Sequence, residues 1–140
     1  MTARYLMRAM LLLIGGAMIL ASALIHATIN VPHLREDMQE IGMRPTLFGA
    51  VSLVLYFSVI AMFAFAALVL NSALSLLRGR VPQSIPLWLI AGTYLIFGGV
   101  AFVKIAPSPH YLGYALMGLL VAIGAALSVS GVEKGIPGRA

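Results

Sequence analysis

Thr46 to Leu77 contains no charged residue, and this one run decides most of what the chain can become. As a single straight helix it would reach roughly 48 Å, against a hydrocarbon core of about 30 Å. Three further uncharged runs accompany it: Ala9 to Val31, Leu87 to Val103 and Tyr111 to Val132. Leu87 to Val103, at roughly 26 Å, is the shortest that would still span. Backbone groups in lipid must be satisfied within the segment, so each run is expected to be a helix. No strand-like alternation suggests a barrel.

Composition agrees with that reading. Hydrophobic residues make up 61% of the 140 positions and charged residues 9%. A soluble domain carries about 25% charge, so this chain cannot cover itself with a water-facing surface. The expected fold is all-α: a four-helix transmembrane bundle in a single integral membrane domain, residues 1–140. Its spans are placed at about 9–31, 46–72, 87–104 and 111–132. The last turns of the second run, around Asn71, Ser72 and Ser75, are expected at the interface. Pro32, Gly42, Pro45, Gly79, Pro82, Pro86, Pro107 and Pro109 supply the breaks between spans. Arg4, Arg8 and the small residues Ala21-Ser22-Ala23 resemble a cleavable leader, but the apolar run continues past them, and a retained first span is expected.

The net charge of +5 does not mark a nucleic-acid protein, because the nine Lys and Arg sit between apolar runs rather than on one face. They sort by side instead. Arg4, Arg8, Arg78, Arg80, Lys134 and Arg139 fall on one side of a four-span topology; Arg35, Arg44 and Lys104 fall on the other. Basic loops stay cytoplasmic, so both termini are expected inside, most naturally in a bacterial plasma (inner) membrane. Tyr5, Trp88, Tyr111 and Tyr114 lie near span ends, where aromatic rings favour the interface. Gly118, Ala122 and Ala126, with Ala17 and Ala21, have the spacing of close helix packing.

The polar residues gather at the opposite, outer side. All three histidines and three of the four acids fall there. Ser22, His26 and Asn30 are spaced to share one face of span one, with Gly49, Ser52 and Tyr56 as a facing wall on span two. Pro32 is expected to kink or end the first helix. Beyond it, Leu34, Met38 and Ile41 recur at helical spacing, which suggests a short amphipathic interfacial helix closed by Gly42.

A ligand pocket of Ser22, His26, Asn30, Ser52, Tyr56 and His110 is therefore expected, with Glu36 or Asp37 closing it. A metal set would be His26, His33, Glu36, Asp37 and His110, and a haem would use His26 with His110; neither follows a compact ligand motif. No carboxylate lies inside a span to drive coupled transport. Ser22 or Ser52 near His26 is the only nucleophile and base to consider, without a nucleophile elbow, so a non-catalytic role is favoured. The expected function is contact with the lipid bilayer and with a membrane-protein partner or a second copy, as a subunit, assembly factor or regulator. The alternative is ligand binding at the outer pocket.

Overall fold

The computed structural model describes residues 3–127, all of whose regular elements are helical. They are α1 (Ala3–Ile25), a π-helical turn (His26–Asn30), α2 (Val31–Glu40), α3 (Pro45–Leu77), α4 (Ser84–Lys104) and α5 (Pro109–Ala126). Four helical segments are long and apolar enough to cross a membrane: Ala3–Glu40, Pro45–Leu77, Ser84–Lys104 and Pro109–Ala126. The expected end of span four, residues 128–132, lies outside the described residues, as do Lys134 and Arg139.

Pro32 does not end the first helix. It has no N–H to give, and its ring would crowd the carbonyl four residues back. The chain answers with the π-turn immediately before it, where Val31 N–H bonds to His26 O across five residues. Helix then continues to Glu40, so α1, the π-turn and α2 form one unit of 38 residues. The expected helix beyond Pro32 is present as α2, joined to α1 through the π-turn without a break. Of its apolar residues Met38 is buried, while Leu34 and Ile41 are exposed.

The remaining breaks reflect residue chemistry. Gly42 and Gly79 adopt positive φ, 66° and 74°. At each, paired bonds finish the helix: Gly42 N–H to Gln39 O and Met43 N–H to Met38 O, then Gly79 N–H to Leu76 O and Arg80 N–H to Ser75 O. Pro45 and Pro109 open α3 and α5, where a missing N–H costs nothing. Pro86 sits inside the first turn of α4 for the same reason, so that helix starts at Ser84 rather than after the proline.

α1 lies between α3 and α5, and α5 in turn packs on α4. α3 and α4 share only a narrow contact, which includes Phe65 edge-on to Tyr94 at 6.3 Å. Leu12, Ile19, Val69, Leu76, Leu87 and Val121 fill the core. Without water between helices, close backbone approach is what holds such a bundle. A β-carbon on Gly118 would lie 2.8 Å from Ala91 O, and one on Gly98 would lie 2.6 Å from Ala115 N. On α1, Gly16 admits Leu70 of α3. Gly124 of α5 admits Leu12 of α1. Of the small residues singled out by spacing, only Gly118 is buried in a contact; Ala122 is half-buried and Ala17, Ala21 and Ala126 are exposed.

Arg8 has a second role beside its place in the basic distribution. It is 3% exposed, and its Nε donates to Gly124 O at 3.0 Å. Gly124 lies in the last described turn of α5, where a cation complements the helix dipole.

Gly118→Leu should therefore lower stability in detergent by about 1–3 kcal/mol, measured by chemical denaturation. Gly99→Ala, whose β-carbon meets nothing within 4 Å, should leave stability unchanged.

Candidate functional site

The π-turn and the first turns of α5 meet at the end of the bundle opposite the N-terminus. His26 opens the π-turn, and Ser22 lies four residues before it on α1. Ser108 caps α5 by accepting from His110 N–H at 3.3 Å, which fixes the turn carrying His110. Tyr114 comes four residues later on the same face.

The two imidazole rings face one another, with centroids 6.2 Å apart and planes 9° from parallel. Tyr114 stands edge-on to both, at 5.0 Å from His110 and 6.2 Å from His26. Its hydroxyl lies 3.3 Å from His26 Nε2 and 3.4 Å from Nδ1. Asn30 Nδ2 donates to His26 Nδ1 at 3.1 Å. With Asn30 as donor, a neutral His26 carries its proton on Nε2. The Tyr114 hydroxyl also hydrogen-bonds with the Ser22 side chain.

Below this group the α1–α5 interface opens into a cavity of about 320 Å³. Ser22, His26, His110 and Tyr114 line one part of it; Met18 and Met117 line another. Gly113 and Pro109 form a wall without long side chains. No Asp, Glu, Lys or Arg lines it. Tyr114 itself is firmly held: it is buried, stacks on Tyr94 at 6.0 Å, and meets the edge of Phe97 at 5.2 Å. A larger groove, about 580 Å³, runs along α4 from Trp88 to Ile105. It is lined by that one helix, and the Thr93 hydroxyl in it is already turned back to Leu89 O. It brings no second element and no convergent polar groups.

The expected pocket residues divide into two places. Ser22, His26, Asn30 and His110 come together. Ser52 and Tyr56 lie on α3 outside the cavity lining. Tyr56 accepts from Arg35 Nη1 at 2.6 Å, and the Arg35 guanidinium also covers Phe48 at 5.3 Å from its centroid. Ser52 is buried, and its hydroxyl has no partner. Glu36 and Asp37 do not close the cavity.

The five-residue metal set is not assembled. His33 pairs with Glu36 at 3.4 Å on the exposed face of α2, and Asp37 is also exposed there. Among the described residues no group of three or more His, Cys, Asp or Glu could hold an ion. The physical reason is the π-turn: one extra residue per turn rotates everything after it by about 100° relative to α1. His33 therefore leaves the Ser22–His26 face. Tyr114, expected as an interfacial anchor, is the residue that sequence reasoning missed. Its spacing of four from His110 was the available signal.

No protein-family model matches the chain, and no match was found among curated proteins or solved structures.

Tyr114→Ala should remove about 3 kcal/mol of stability, because it empties the space between three rings. Gly113→Leu should change stability by less than about 0.5 kcal/mol, since a β-carbon there meets nothing within 4 Å. Paired denaturation curves in one detergent check both.

Proposed function

We propose that this chain is a multi-pass membrane protein that binds a small, lipid-soluble ligand between α1 and α5. The observation that carries the reading is the meeting of His26, His110 and Tyr114 at the head of an uncharged cavity. Few polar groups converging in an apolar cleft are the usual form of a small-molecule site. Polar side chains in a membrane helix are costly unless they serve a partner or a ligand. His110 is exposed, so its ring is open to such a partner.

Orientation adds to this. The six-to-three distribution of basic residues supports cytoplasmic termini in a bacterial plasma membrane, with the histidines at the outer leaflet and α2 at its surface. Contact with a membrane partner or a second copy has separate support in α3, where Leu53, Phe57 and Ile60 form an exposed apolar stripe. Lipid alone satisfies such a stripe, so the pocket is the stronger ground.

Native mass spectrometry of protein purified from its own membranes tests the reading. The wild type should carry a small-molecule adduct that Gly113→Leu, with its side chain filling the cavity, does not. An adduct that survives Gly113→Leu, or a bare wild type, would refute it.

A further inference from the structure

If the pocket is a ligand site, on which the quinone assignment below rests, its chemistry narrows the ligand beyond "small and lipid-soluble". Ala21 and Ile25 on its rim are exposed on the outside of α1, so the opening faces the membrane sideways. The ligand thus arrives from lipid. The lining holds no cation for a phosphate or carboxylate and no acid for an amine. The ligand is therefore neutral.

Its polarity must also be lopsided. His26, His110 and Tyr114 cluster at one end. Met18 lies eight positions before His26 on α1, and Met117 seven positions after His110 on α5. The helices run antiparallel, so both thioethers lie about two turns deeper, roughly 10–12 Å below the rings. Thioethers are polarizable and pack well against aromatic ring edges. A polar oxygen at the rings and an apolar body against the methionines is the pattern that fits.

The polar end offers groups that both donate and accept. A phenol hydroxyl can both donate and accept, and so can a neutral imidazole through its two nitrogens, so Tyr114 and the exposed His110 suit a carbonyl or a hydroxyl. A site with this duality holds a ring oxygen whether it is a carbonyl or a hydroxyl. The shape points the same way. About 320 Å³ takes one ring or a fused pair, with a tail left in lipid. Gly113, with no side chain, leaves a slot for a flat body.

We infer that the α1–α5 cavity binds the headgroup of a quinone or quinol, with one ring oxygen at His110 and Tyr114 and the isoprenoid-type tail in the bilayer. Binding alone is inferred, with no electron transfer.

The test uses the full chain in lipid nanodiscs, titrated with decylubiquinone and monitored by native mass spectrometry. n-Decylbenzene, which has a tail and ring but no ring oxygens, is the comparison. Saturable decylubiquinone binding is expected, at least tenfold tighter than decylbenzene. His110→Phe and Tyr114→Phe should each weaken it about two- to tenfold, the worth of one hydrogen bond. Gly113→Leu should abolish it. Equal binding of the two probes, or affinity unchanged in both Phe variants, overturns the quinone assignment. No decylubiquinone binding, while a native adduct is still lost in Gly113→Leu, overturns the quinone assignment and leaves the ligand reading standing. No decylubiquinone binding and no native adduct remove both.

Discussion

A helix in an apolar environment must satisfy its own backbone, and Pro32 cannot take part. The rest of the candidate site depends on how that conflict is resolved. The five residues before Val31 and Pro32 widen into a π-turn, with Val31 N–H reaching back to His26 O. Helix is kept, so the first apolar segment runs on to Glu40. The widened turn also resets the register. Residues before it present Ser22 and His26 to α5; residues after it present Arg35 to Tyr56 and Phe48 of α3.

The second constraint is the closeness of α5 to both of its neighbours. Gly98 and Gly118 let α4 and α5 approach backbone to backbone, and Gly124 lets Leu12 of α1 press into α5. Arg8 ties α1 to α5 at the N-terminal end through Gly124 O. At the opposite end the same two helices carry His26 and His110 into ring contact. α5 is held along its length, so the spacing of the two histidines is set by helix packing rather than by a loop. Tyr114, backed by Tyr94 and Phe97, fixes the third ring between them.

Much of this was legible in the sequence, for physical reasons that can be named. Uncharged runs of spanning length announce helices, because a charge in the hydrocarbon is costly. Gly42 and Gly79 announced helix ends, since positive φ suits glycine. His26 and His110 could be placed at one depth by counting residues along antiparallel spans. The register shift was not legible: proline signals disruption, but the sequence does not say whether a helix stops, kinks or widens. That is why the metal set does not assemble around His33, whereas Ser52 and Tyr56 lie apart because Ser22 and His26 face α5 rather than α3. Nor did small-residue spacing identify the contact faces. Ala17 and Ala21 have the right interval but face outward, while Gly15 and Gly16 on the neighbouring face are buried.

The π-turn and the head of α5 line one cavity, and no residue of α3 contributes to its lining. Distance measurement tests this most directly, and the chain suits it because it contains no cysteine. A double variant with His26→Cys and His110→Cys, treated in native membranes with a short thiol-to-thiol cross-linker, should give an intramolecular cross-link. The pair Tyr56→Cys and His110→Cys should not. Cross-linking of the second pair in place of the first would contradict this arrangement of the helices.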